Sequence, residues 1–242
     1  METSVTFRIR IRRILKKYFL RLKLHRFIPF ADGLLTLGYY SKFSKWCSDN
    51  DKNFLYKDLE IGTERRFGLY RFIFDHVHLD GEILYLEFGV FKGESLKWWV
   101  EKNNNPGSRF TGFDTFTGLP EDWNFRYQKG HFSTEGKTPD ISDSRCSFEK
   151  GLFQDTLEKF VAKTSFTKKI ILHLDADLYS STLYVLTTLA TKLKKGDVLI
   201  FDEFSVAKSE FRAFMDVTQS YDIKYKVLGA VNNYHQVAFE LI

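Results

Sequence analysis

From residue 83 onward, short apolar runs alternate with stretches of helical periodicity. Ile83 to Gly89, Arg109 to Asp114, Cys146 to Lys150, Ile170 to Asp175 and Val198 to Asp202 read as strands. Glu94 to Lys102, Phe153 to Ala162, Ser180 to Lys194 and Ser209 to Ser220 carry the spacing of helices between or after them, and Glu64 to Ile73 forms a further helix ahead of the first strand. The chain ends differently. Tyr225 to Val231 and Gln236 to Ile242 are strand-like and separated only by Asn232-Asn233-Tyr234-His235, too short for a crossover, so they form an antiparallel hairpin. Regular alternation implies right-handed crossovers and a parallel sheet. The pattern predicts an α/β fold with a mainly parallel seven-stranded sheet closed by a C-terminal antiparallel hairpin.

Residues 1–60 are helical or irregular and form an arm or cap; residues 61–242 form the main domain. Charge divides the same way. Residues 1–30 hold nine Lys and Arg against one acid, Glu2; this is +8 within a net charge of +5, which leaves the rest at −3. A slightly acidic body argues against a surface that tracks nucleic acid. The arm also places Ile14, Leu15, Tyr18, Phe19 and Leu22 at helical spacing. A basic amphipathic helix suits peripheral contact with an anionic membrane, docking on its own domain, or homo-oligomerisation. No apolar run is long enough to span a bilayer, and charges interrupt every candidate signal segment. Cys47 and Cys146 lack metal-ligand spacing and make no disulfide framework. A cytoplasmic protein, at most at the inner face of a membrane, is expected.

Two apolar runs end in acids: Ile170 to Leu174 before Asp175-Ala176-Asp177, and Val198 to Phe201 before Asp202-Glu203. Ligands of open α/β sheets bind off the carboxyl edge. Adjacent strands lie about 5 Å apart, so Asp175, Asp202 and Glu203 can converge on a hard cation such as Mg²⁺. Strand-end acids can also simply cap the following helices. Upstream, Glu87-Phe88-Gly89-Val90-Phe91-Lys92-Gly93-Glu94-Ser95 forms a strand-to-helix turn whose glycines permit close backbone approach to a ligand. Asp114 ends the next strand, where an acid can accept hydrogen bonds from ribose hydroxyls.

Four segments occur in order: Glu87 to Val90 with Gly93 and Ser95, Gly112 to Pro120, Gly151 to Leu157, and His173 to Thr182. Together they resemble the macrocin O-methyltransferase family of Class I S-adenosylmethionine-dependent enzymes, which methylate hydroxyls of sugars and related natural products. The resemblance covers roughly residues 60–242 and implies the Rossmann-like Class I methyltransferase fold. It further implies that Glu87, Gly89, Gly93 and Ser95 hold the methionine portion of S-adenosyl-L-methionine, that Asp114 binds the ribose, and that Gly151 to Asp155 lie near the adenine. Asp175 and the acids after the fifth strand would bind Mg²⁺. Family members usually end that strand in two aspartates, whereas this chain has Asp202-Glu203.

A sugar hydroxyl is a weak nucleophile until its proton is removed. Asp175 is the candidate base; His173, two positions earlier, and His131, in the polar loop between Gly118 and Arg145, are further candidates, with His235 a weaker one. Trp123, Phe125, Tyr127 and Phe132 crowd that loop and either stack on an acceptor ring or pack on one another. Trp98 and Trp99 read as core. The partner is a small-molecule or glycan hydroxyl acceptor. Two other readings stand: a nucleotide-sugar glycosyltransferase using the D-x-D pair Asp175 and Asp177, and a non-catalytic domain recruited to a membrane by the arm.

Overall fold

The computed structural model describes residues 2–23, 26 and 31–242; residues 24–25 and 27–30 of the basic arm lie outside the described residues. The chain divides into two compact units, one ending at Lys42 and the other spanning Phe43–Ile242. In the first, α1 (Glu2–Arg21) precedes the start of α2 (Ala31–Asn50). Within the second unit, Trp46 and Phe43 join Phe204 and Phe211 in an aromatic cluster, with ring centroids 5.0 Å apart for Trp46–Phe204 and 5.1 Å for Phe43–Phe211.

The body runs β1 (Tyr56–Asp58), α3 (Arg65–His76), β2 (Ile83–Phe88), α4 (Glu94–Lys102), β3 (Arg109–Asp114), β4 (Cys146–Lys150), α5 (Phe153–Lys163) and β5 (Lys169–Leu174). It continues with α6 (Tyr179–Leu189), β6 (Val198–Phe201), α7 (Glu210–Ser220), β7 (Tyr225–Val231) and β8 (Gln236–Leu241). The strands form one sheet in the order β1-β7-β8-β6-β5-β2-β3-β4. All neighbours are parallel except β8, which is antiparallel to β6 and β7. The expected parallel sheet and terminal hairpin are present, but among the described residues there are eight strands rather than seven. The addition is β1, three residues that pair with β7 at the sheet edge. Helix α6 ends at Leu189, short of Lys194, because the amides of Lys192 and Leu193 both turn back to the Leu189 carbonyl.

Every residue of β2 is buried, as expected of a parallel strand covered on both faces. Its two faces feed different cores. Ile83 and Tyr85 join Ile171, Ile200, Leu69, Tyr70, Leu96 and Trp99 beneath α3 and α4, which confirms Trp99 as core. Phe88 stacks on Phe113 at 4.5 Å and meets Phe153 of α5 on the other side. From β2 the chain steps out to β3 and β4, then returns across β2 to β5 and β6. That reversal opens a crevice at the carboxyl ends of β2 and β5.

Candidate active site

A cavity of about 210 Å³ occupies that crevice. Its walls come from the turn after β2 (Gly89, Val90, Phe91), the end of β3 (Asp114, Thr115), the segment after β4 (Leu152, Phe153, Gln154), the turn after β5 (Asp175, Ala176, Asp177) and Glu203 after β6. The polar loop adds Leu119, Pro120 and Phe132.

Gly89 has φ +91, and a Cβ there would fall 1.8 Å from the Asp175 carbonyl oxygen, so no other residue lets the two strand-end turns meet. Asp114 organises this wall. Its Oδ2 accepts the amides of Val90 (2.8 Å) and Phe91 (2.9 Å), and its Oδ1 accepts that of Phe116 (2.7 Å). A carboxylate has roughly four acceptor directions, so Asp114 keeps capacity for a further donor. Phe91, Phe132 and Asp177 line the cavity with φ between 49° and 62°, conformations that cost energy for residues with a side chain and cluster at functional sites.

Several residues expected to hold the cofactor lie behind the cavity rather than in its wall. Glu87 is fully buried and accepts hydrogen bonds from Tyr85 Oη (2.5 Å) and Ser95 Oγ (2.7 Å). Gly93, with φ +74, starts α4 against Pro139. Gly151 donates its amide to the Asp114 carbonyl, and Asp155 sits exposed in the first turn of α5; the residues between them, Leu152 to Gln154, reach the cavity instead.

His173 is likewise fully buried, on the same sheet face as Glu87 and directly opposite it in register. Burial opposes its charging, but the carboxylates of Asp202 and Glu87 hold its pKa up at about 9. With both ring nitrogens protonated, Nδ1 donates to Tyr85 Oη (2.7 Å) and Nε2 to Tyr70 Oη (3.3 Å), while Asp202 Oδ1 stands 3.9 Å away, an ion-pair separation. The imidazolium is thus a fixed counter-charge, outside the cavity wall. His131 is exposed, with its ring over Phe132 (4.4 Å) and Tyr127 (4.9 Å). The loop aromatics largely pack on one another, Trp123 on Tyr127 at 5.3 Å, whereas Phe125 is 96% exposed.

The wall formed by the turns after β5 and β6 is acidic. Burial, reinforced by Asp202, Asp177 and Glu203, pushes the Asp175 carboxyl well above the usual range. Burial and the charges of Glu203 and Asp202 raise Asp177 to about 8. Burial also raises Glu203, although His235 Nε2 lies 3.2 Å from it; His235 Nδ1 in turn faces Ser205 Oγ at 2.9 Å. The expected metal set of Asp175, Asp202 and Glu203 is not assembled: among the described residues no three His, Cys, Asp or Glu side chains stand grouped to hold a metal ion. The physical reason is that Asp202 leans toward the His173 imidazolium and Glu203 toward His235.

Two residues that the sequence pattern did not single out organise this wall. Glu210, fully buried at the start of α7, accepts the amides of Glu203 (2.9 Å) and Ala176 (3.4 Å), tying together the turns after β6 and β5. Arg66 of α3 pairs with Glu94 at 2.7 Å, and despite partial burial the carboxylates of Asp202 and Asp175 favour its cation. Glu210 follows Glu203 by seven residues but reaches Ala176 across 34, and Arg66 comes from α3, far in sequence from the acids near it.

The sequence matches the macrocin-O-methyltransferase (TylF) family over residues 73–234. A comparison with curated proteins finds no match. Among solved structures, the fold is similar to CalS11, a calicheamicin methyltransferase (21% identity, 74% of this chain and 80% of that chain, TM-score 0.56). It is also similar to the O-methyltransferase NovP (20% identity, 74% and 80%, TM-score 0.55) and to an O-methyltransferase from Bacillus cereus in complex with SAH (12% identity, 85% and 90%, TM-score 0.52). At these identities the structures speak for the fold, and the family match carries the assignment. The chain, with its glycine turn, Asp114 and strand-end acids around one cavity, belongs to the macrocin-O-methyltransferase family.

Proposed function

We propose that this protein is an S-adenosyl-L-methionine-dependent O-methyltransferase acting on a hydroxyl of a sugar, glycan precursor or natural product, with Mg²⁺ assisting. The observation that carries the reading is one cavity whose walls bring together a glycine cradle after β2, Asp114 after β3 and the acids after β5 and β6. CalS11 is described as a TDP-rhamnose 3'-O-methyltransferase, which supports a sugar-like acceptor. With the family in hand, the glycosyltransferase use of Asp175 and Asp177 and the non-catalytic reading are set aside.

The chain's residues fit the cofactor chemically. A side chain at Gly89 would close the cradle, Asp114 has an acceptor direction to spare for a ribose hydroxyl, and Leu119, Leu152 and Phe153 offer apolar surface for a flat base. Glu87 and Ser95 support the turn from behind through their 2.7 Å hydrogen bond. When bound, S-adenosylmethionine supplies a methyl group already activated on a sulfonium. The protein must then align the acceptor oxygen and remove its proton.

Proton removal falls to Asp175. Asp175 lines the cavity, and a carboxylate whose pKa is lifted by burial and neighbouring acids binds a proton more readily, once ionised, than an ordinary one. His173 already holds its proton and His131 rests on the loop aromatics, so neither is assigned the step. Asp175, Asp202 and Glu203 are oxygen donors of the kind a hard cation takes, and Asp202 Oδ1 is buried with no hydrogen-bond partner, but Asp202 and Glu203 stand toward His173 and His235. Turned from those partners, these three would hold Mg²⁺, which would lower the pKa of a coordinated hydroxyl.

The test is methyl transfer from labelled S-adenosylmethionine to a panel of sugar and nucleotide-sugar acceptors, with Mg²⁺ and with EDTA. A methyl ether product is expected, with activity falling at least about tenfold in EDTA and returning with Mg²⁺. Transfer unaffected by EDTA would remove the metal. Transfer to a nitrogen or carbon acceptor instead would overturn the reading.

A further inference from the structure

Outside the site, α1 carries an apolar and basic pattern of its own. Phe7, Ile11, Ile14, Leu15, Tyr18 and Leu22 are spaced by four, three, one, three and four residues, which gathers them on one face of a helix. All six are between 40% and 65% exposed. The rest of the circumference carries Arg8, Arg10, Arg12, Arg13, Lys16 and Lys17, with Ile9, Phe19 and Leu20 among them, and no acid follows Glu2 before Asp32. A helix of 20 residues thus exposes a continuous apolar face flanked by cations. No described helix is long and apolar enough to cross a membrane.

We infer that α1 is an interfacial anchor that lies in the headgroup region of an anionic lipid bilayer, its apolar face buried and its Lys and Arg on anionic headgroups. Charge complementarity selects this occupant. An apolar face alone would suit any hydrophobic partner, but the same helix carries most of a +8 segment on a body of −3. A second copy of α1 would meet it with like charge. Nucleic acid would engage the cations but leave six exposed apolar side chains in water. An anionic bilayer satisfies both faces at once.

The experiment is co-sedimentation of the full-length protein with vesicles of phosphatidylcholine alone and of phosphatidylcholine with about one third phosphatidylglycerol, in roughly 0.1 M salt. A preference for the anionic vesicles of at least about tenfold is expected, weakening as salt rises. Ile14→Asp, which puts a charge in the apolar face, should abolish binding to both. Arg12→Gln with Lys16→Gln should remove the anionic preference. The thermal melting of the body should be unchanged in both variants, since α1 belongs to the other unit. Equal partitioning into both vesicle types would overturn the inference, as would tight salt-sensitive binding to a short DNA duplex without vesicle binding. So would a concentration-dependent dimer, seen by light scattering, that Ile14→Asp dissolves while vesicles capture nothing.

Discussion

Two groups of buried carboxylates lie on opposite sides of one sheet edge, and they have opposite characters. Behind the cavity, Glu87 accepts from Tyr85 and Ser95, and the His173 imidazolium on the adjacent strand balances its charge. In the cavity, Asp175, Asp177 and Glu203 are pushed up by burial and by one another. The first group is satisfied by the chain itself and so behaves as structure. The second is left in excess of its partners, a condition a folded protein tolerates where a ligand or a proton is to be received.

That contrast is sharpest if Glu87 is removed. Glu87→Ala strands the His173 cation and two hydroxyls in the core, and a loss of about 3–5 kcal/mol is expected, read as a large fall in Tm. A melting point close to that of the unmodified protein would mean the network is incidental. Asp175→Asn should do the reverse. Methyl transfer drops by about a hundredfold or more, while stability holds or rises because repulsion from Asp177 and Glu203 is relieved. A fall in Tm matching that of Glu87→Ala would erase the distinction between the two groups.

Glu210 links the acidic turns without lining the cavity. Glu210→Ala leaves the Glu203 and Ala176 amides unpaired, at a cost of about 1–3 kcal/mol, and should lower kcat by loosening both turns. Glu210→Gln keeps an oxygen for the 2.9 Å bond and gives up the 3.4 Å one, so most activity should return. Equal activity losses in both variants would assign Glu210 a part in the chemistry instead. The smallest effect expected is on pH dependence. His173 is raised from 6.5 to about 9, so its contribution to stability is full below 6.5 and is lost as pH rises through about 9. Tm measured from pH 7 to 10 should fall by roughly 5 °C more in the unmodified protein than in His173→Gln. Parallel curves would show that the imidazole is buried neutral.

The same contrast explains what could be read in advance. Strands such as Ile83 to Phe88 and Ile170 to Leu174 announce themselves because both faces of a parallel sheet are buried, and the acids that end them mark the site's edge. Strand β1 does not, since Tyr56-Lys57-Asp58 has no apolar run and pairs only because β7 presents a matching edge. Periodicity placed Glu87 and His173 near the site but not behind it, because a strand's alternation does not say which face the cavity opens on. Burial told them apart: both lie on the α3 and α4 side, whose core contains Tyr85, Tyr70 and Trp99. Arg66 reaches the acids from a helix distant in sequence, and Glu210 joins the Ala176 turn across 34 residues, closeness that no local pattern encodes.

The central claim is that this cavity binds the methyl donor through Asp114. The direct measurement is calorimetric titration of S-adenosylhomocysteine into the purified protein and into Asp114→Ala, in Mg²⁺ and in EDTA. The account predicts saturable binding in both buffers by the unmodified protein and a loss of at least about a hundredfold in the variant, where three backbone amides lose their acceptor. Absence of binding by the unmodified protein, or undiminished binding by a folded Asp114→Ala, would contradict it.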